Sequence, residues 1–318
     1  MIPAKPISWQ DPRNKIWGFH VHQELALENF AESLVVQSQC AAFLQKNGIV
    51  INADDVMKPG YGPHLNYMWE LRVERSAQPL EHMGLAISYM AVNRFGLSAY
   101  IHPVMHDESL PIEAALAAEG RYNQANALWF SQRVRQNQDF FFNPPKDKHN
   151  QLIDTRSPRI CSRQERKHLY DAGKAKFQYI DFFDPYQAII NGFHIHMDFS
   201  RREEETALLV FDNFLRFLLE IGLRPSSTRL YGPGENGPHI QQGWEVKFET
   251  QDKRILQKIG IAIGWLMCNR QHLSVFIHPV TWEEGDHPTE FKAHAEYSMF
   301  IGDLPPLDLN FFKKKFEE

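Results

Sequence analysis

The sequence predicts an α+β chain of two consecutive βαββαβ units, and three observations carry that prediction. Gly18-Phe19-His20-Val21-His22 returns as Gly192-Phe193-His194-Ile195-His196 about half the chain later. Gly62-Pro63-His64 returns as Gly237-Pro238-His239, and Ile101-His102-Pro103-Val104 returns as Ile277-His278-Pro279-Val280. The offset drifts only from 174 to 176 residues along these matches, the mark of a tandem duplication.

Each element has its own local signal. Residues 16–23 alternate, with Phe19 and Val21 on one face and His20 and His22 on the other, as in a strand. Leu27, Phe30, Leu34, Ala41 and Leu44 recur at helical spacing up to Gly48, a residue suited to ending a helix. A short strand over 49–51 and a turn rich in Asp, Pro and Gly lead to His64. Residues 67–74 then set Trp69, Leu71 and Val73 against Glu70, Arg72 and Glu74. Leu80, Met83, Ile87 and Met90 mark a second amphipathic helix, and 97–103 reads as a strand stopped by Pro103. This order is the ferredoxin-like split βαβ arrangement. In the second half Leu208, Phe211, Leu215 and Leu218, then Ile255, Ile259, Ile263 and Leu266, supply the matching helices.

The expected domains are therefore 14–130 and 189–312, joined by a connector over 131–188 that wraps the surface or forms a lid. Residues 114–135 read as helical, the Asn143-Pro144-Pro145 step breaks that pattern, and 156–176 is basic and exposed. Two ferredoxin-like units in one chain form a pseudo-dimer, with open faces pressed together around a shared, barrel-like pocket as the expected arrangement.

A chain of 318 residues with net charge −5 and no long basic run carries no electrostatic footprint for nucleic acid. No apolar run approaches membrane-spanning length and the first residues do not read as a signal peptide, so a cytoplasmic protein is expected. Cys40, Cys161 and Cys268 are scattered and odd in number, which excludes a disulfide framework and a thiolate zinc site. Any metal would sit among imidazole and carboxylate ligands.

Strand parity places His20, His22, Glu70, Arg72, Tyr100 and His102 on the sheet face away from the helices. The second set is His194, His196, Glu245, Phe276 and His278. With His64 and His239 these eight histidines are the candidate metal ligands. Glu70 and Glu245 are candidate carboxylate ligands, and Arg72, Tyr100 and Phe276 candidate substrate contacts. Neutral imidazoles with a carboxylate suit Fe(II), Zn(II) or Mn(II) rather than Ca or Mg. A histidine left off the metal, His22 or His196, is the candidate catalytic base.

The strings Phe193-His194-Ile195-His196-Met197-Asp198-Phe199, Gly237-Pro238-His239 and Leu273-Ser274-Val275-Phe276-Ile277-His278-Pro279 resemble the DOPA 4,5-dioxygenase family. The ending Gly302-Asp303-Leu304-Pro305-Pro306-Leu307-Asp308-Leu309 is similar to the close of that family. The resemblance covers most of the second copy and, more loosely, the first to about residue 130. It implies extradiol cleavage of a catechol such as DOPA with Fe(II), so the expected partners are a small aromatic substrate and dioxygen. The chain would act as a pseudo-dimeric monomer or a homodimer. Family members carry a histidine before a terminal Ala-Leu-Trp-Leu-Gly segment. Here Asn126 precedes Ala127-Leu128-Trp129-Phe130, and Tyr297-Ser298 precedes Met299-Phe300-Ile301-Gly302, with His287 and His294 the nearest substitutes. The rival expectation is a degenerate, non-catalytic homologue that binds a metal or small molecule or serves as a scaffold. A two-histidine phosphoesterase is disfavoured because His22, His196, Val104 and Val280 stand where its hydroxyl residues belong.

Overall fold

The computed structural model describes residues 8–312 apart from 53–55, 75, 106–110, 121–123, 132, 135, 138, 154–158, 178–181, 186–189, 250–253 and 282–287. His106 and His287 therefore lie outside the described residues. The first run comprises β1 (Gly18–Leu25), α1 (Leu27–Lys46), β2 (Val56–Met57), β3 (Tyr67–Val73), α2 (Pro79–Asn93) and β4 (Ala99–Val104). There follow α3 (Ile112–Ala118), β5 (Leu128–Phe130), α4 (Asp139–Phe142) and α5 (Arg163–Lys176). The second run comprises β6 (Ile190–Phe199), α6 (Glu204–Glu220), β7 (Ser227–Tyr231), β8 (Gln242–Glu249), α7 (Ile255–Asn269) and β9 (Val275–Thr281), followed by α8 (Pro288–Ala295) and β10 (Met299–Ile301).

The ten strands among the described residues join in one sheet of order β2-β3-β1-β4-β5-β10-β9-β6-β8-β7. Phe19, Val21, Trp69 and Leu71, with Phe193, Ile195, Trp244 and Val246, point to the helical side, where they share one apolar core with the main helices. Helices α2 and α7 cross at Gly84 and Gly260. A Cβ on Gly260 would lie 1.9 Å from the Leu80 carbonyl oxygen, and one on Gly84 would lie 2.4 Å from that of Gln257. Only glycine lets the two backbones touch in this way.

This architecture corrects the expected barrel-like shared pocket. The seam is β5 against β10, with Leu128 opposite Ile301 and Phe130 opposite Met299. Unpaired strand edges leave donors and acceptors unmet, and pairing the two edges satisfies both at once. The histidine faces consequently lie side by side on one surface of a continuous sheet instead of facing each other.

Three local readings also change. Residues 49–51 form no strand; the edge strand is β2, further along at Val56–Met57. The helix expected over 114–135 ends with α3, because 128–130 finds backbone partners on both sides, β4 and β10. The basic stretch contains α5, opened by a Ser162–Glu165 capping box. That helix is docked onto α1: a Cβ on Gly173 would meet the Ala31 carbonyl oxygen at 1.9 Å.

Candidate functional site

Register assembles the histidines. Strand β1 runs between β4 and β3, so His20 faces His102 on one side and Arg72 on the other, while His22 faces Tyr100 and Glu70. In the second run His194 lies between His278 and Lys247, and His196 between Phe276 and Glu245. Two separate clusters result, each at the floor of its own cavity, of about 410 Å³ in the first half and about 460 Å³ in the second.

In the second cluster His194, His196 and His278 offer nitrogens within 4.8 Å of one another, and so do His196, His239 and His294. The Nδ1 of His239 donates to Asp198 Oδ2 at 2.9 Å, and Tyr231 Oη donates to Asp198 Oδ1 at 2.5 Å. With its proton on Nδ1, His239 turns the bare Nε2 inward, where it is buried without a hydrogen-bond partner among the described residues. The Nε2 atoms of His196 and His278 approach to 3.3 Å while His278 Nδ1 donates to the Pro279 carbonyl at 3.3 Å. His194 Nε2 sits 2.7 Å from Glu249 Oε1. Glu245 Oε1 is 3.6 Å from His196 and 3.9 Å from His194, and its other oxygen is held by Arg229 at 3.2 Å and Lys247 at 3.6 Å. Burial, reinforced by neighbouring imidazoles, pushes His196 and His278 well below the ordinary histidine range. Burial also lowers His194, with Lys247 adding to the effect. All three are neutral at pH 7, the form that ligates metals.

The first cluster differs in its acids. His20, His22 and His102 bring nitrogens within 4.8 Å of one another, and His22 Nε2 meets His102 Nε2 at 3.0 Å. Glu70 Oε1 lies 2.9 Å from His20 Nδ1 and 3.5 Å from His22 Nε2, and Glu119 Oε1 lies 3.6 Å from His102 Nε2. Burial alone would lower His20, but the charge and hydrogen bond of Glu70, aided by Glu74, raise it to about 9. Burial takes His22 well below the usual range and His102 down to about 4. His64 Nδ1 is held by Glu24 at 3.0 Å, yet its ring centroid is 5.9 Å from that of His22, against 4.2 Å between His239 and His196.

Of the expected substrate contacts, Tyr100 and Phe276 are fully buried and line neither cavity. Tyr100 is stacked between His22 and Trp129 with its hydroxyl accepting from Gln136, and Phe276 backs His294. They are aromatic supports beside the imidazoles, and Tyr100 packs with Trp129 and Phe300 in a small apolar cluster. Arg72 turns to Glu70, with Nε 3.3 Å from Oε2. The residues that went unassigned are Glu24 and Asp198, which orient His64 and His239. A signal for both was present, since each stands two residues beyond the second histidine of its pair and so on the same strand face. Glu119 carried no pattern of its own.

The cavities have equivalent covers. Asn137 N donates to the Pro63 carbonyl at 2.8 Å and Asp308 N to the Pro238 carbonyl at 2.8 Å. The rings that follow, Phe140 and Phe311, reach Gly62 and Gly237, where an added Cβ would touch them at 3.7 and 3.8 Å. The start of the expected connector thus packs as a cover over the first cavity.

Among the described residues no helix is long and apolar enough to cross a membrane. A protein of Botryotinia fuckeliana, known as an uncharacterized 21.2 kDa protein, is 28% identical over 148 residues, spanning 45% of this chain and 76% of its own. A crystal structure of a candidate dioxygenase from Nostoc punctiforme aligns at 25% identity with a TM-score of 0.30, over 40% of this chain and 94% of its own. Residues 193–311 match the model of the Dopa 4,5-dioxygenase family, and this span contains all five histidines of the second cluster together with Asp198 and the cover at Phe311. Over the segment 193–311 the chain is similar to the Dopa 4,5-dioxygenase family.

Proposed function

We propose that the chain is a metal-dependent, extradiol-type dioxygenase that opens the ring of a catechol, and that its working centre is the second histidine cluster. The observation carrying this reading is His239, whose Nδ1 is tied to Asp198 and whose bare, buried Nε2 points at His196 and His294 with no protein partner among the described residues. Such an orphaned lone pair is costly unless a proton or cation meets it. The donor set fits Fe(II), with Zn(II) or Mn(II) as lesser alternatives. His196, His239 and His294 would hold the ion, and His278 closes the set from the side. Bound Fe(II) would supply a centre that chelates both catechol oxygens and takes dioxygen at an open position.

The chain's own residues do the remainder. His194 is the proton acceptor: its Nδ1 takes the catechol proton while Nε2–H donates to Glu249, whose charge stabilises the imidazolium formed. This role differs from the one expected of His196, which is more deeply buried and lies within both nitrogen groups. Glu245, held by Arg229 and Lys247, orders the cavity wall. Phe311 and Phe312 exclude water from the floor. The reading includes a tandem duplication, with the first unit retaining the frame and a different set of acids.

Oxygen uptake by the Fe(II)-loaded chain supplied with L-DOPA or caffeate tests the proposal. The expected result is uptake with a yellow ring-opened product, slowed roughly 100-fold or more in His194→Ala with metal content retained. No uptake with any catechol would sink it.

A further inference from the structure

The first cavity lies outside the family match and is built for a different ligand. Its floor is polar: the carboxylates of Glu70 and Glu119 present acceptors to a hydroxyl, beside the mutually hydrogen-bonded imidazoles of His22 and His102. Its outer wall comes from the connector: Phe140, Pro144, Leu152 and Ile153. The last three belong to a loop that braces itself, with Ile153 N donating to the Pro145 carbonyl at 2.9 Å, Asp147 N to the Gln151 carbonyl at 2.8 Å, and Lys146 bridged to Leu152. The wall is thus a folded part of the site. In the second cavity the outer rim carries Lys247, Glu249 and Thr281 instead. The two cavities share a frame and a Phe cover, yet one meets a ligand's outer end with aliphatic carbon and the other with charge.

We propose that the first cavity is a second small-molecule site, taking a phenol or catechol whose ring carries an apolar substituent, while the second cavity takes one with a charged or polar arm. The hydroxyl end sits on the histidine–carboxylate floor, the ring lies under Phe140, and the substituent packs against Leu152 and Ile153. A cavity of about 410 Å³ accommodates such a molecule. Binding here requires neither iron nor oxygen, so the inference stands apart from the proposed ring cleavage.

The test is calorimetric titration of the metal-free full chain with 4-tert-butylphenol and, separately, with L-tyrosine. The alkyl phenol is expected to bind one site, from which tyrosine displaces it only with about tenfold or more weaker affinity, as burial of a few apolar carbons implies. Leu152→Asp and Ile153→Asp, both on the connector loop and away from the main core, should each weaken it about tenfold. Phe311→Ala, at the second cavity, should leave it unchanged. The inference is overturned if neither loop variant alters binding, if Phe311→Ala is the variant that weakens it, or if the alkyl phenol does not bind. Oxygen uptake on catechols is measured on the same preparations: its absence would remove the ring-cleavage reading and leave this one standing, and the reverse holds equally.

Discussion

At the scale of single residues, the proposed chemistry rests on how the two ring nitrogens of His239 are oriented. Asp198 accepts from His239 Nδ1 and thereby sets which nitrogen faces the cluster. Asp198→Asn should lower metal affinity roughly 10- to 100-fold with the fold intact, measured by competition against a chromophoric chelator. An unchanged affinity would mean that His239 is a structural residue. The pair of histidines two apart, and their facing partners His102 and His278, were legible because strand parity and the repeat speak together. The orienting acids were half legible: Glu24 and Asp198 lie on the right parity, but a carboxylate on a strand face is commonly a solvated one, and only the turn that carries His64 or His239 back over the strand shows otherwise. His294 is legible as a substitute by position alone, since its distance to His278 is set by tertiary packing, which brings the ring centroids to 3.9 Å. Tyr100 and Phe276 went astray for a different reason. Parity gives the face correctly, but not whether β5 or β10 and the cavity covers will bury what stands on it.

At the scale of elements, the α2–α7 crossing and the β5–β10 seam hold the two units together. Gly260→Ala would force a methyl group into the Leu80 carbonyl and should cost about 1–3 kcal/mol, read as a lowered urea midpoint. Retained stability would show that the helices can separate without penalty. The split βαβ order was readable because amphipathic helices and alternating strands leave strong periodic signals. The seam was not. Strands of three residues, Leu128–Phe130 and Met299–Ile301, are too short to show a period, and they become strands only when each finds two neighbours. For the same reason the arrangement of the units, edge to edge on one sheet, could not be told from a closed pocket before the pairing was seen.

At the scale of the whole molecule, burying neutral imidazoles makes the metal-free chain sensitive to acid. His22, His102, His196 and His278 all have folded pKa values below the ordinary range, chiefly through burial. The unfolded chain therefore binds more protons than the folded one below about pH 6.5. Each such group withdraws up to about 1.4 kcal/mol per pH unit as pH falls below 6.5. His20 runs the other way: raised to about 9, its contribution is present below 6.5 and is lost as pH rises from there towards 9. The urea midpoint of the metal-free chain should therefore peak near pH 6.5–7 and fall on the acid side. Bound metal should move the acid limb to lower pH, because protons and metal compete for the same nitrogens. A midpoint flat between pH 5 and 7 would contradict the burial of neutral histidines.

The central claim is that the cluster around His239 is a metal centre. Its most direct test is anaerobic titration of the metal-free full chain with Fe(II), comparing the native sequence with His239→Ala and His294→Ala. The account predicts a tight Fe(II) equivalent in the native chain that is lost in both variants. It would be contradicted by native protein that takes up no Fe(II), or by variants that bind it as tightly as the native chain does.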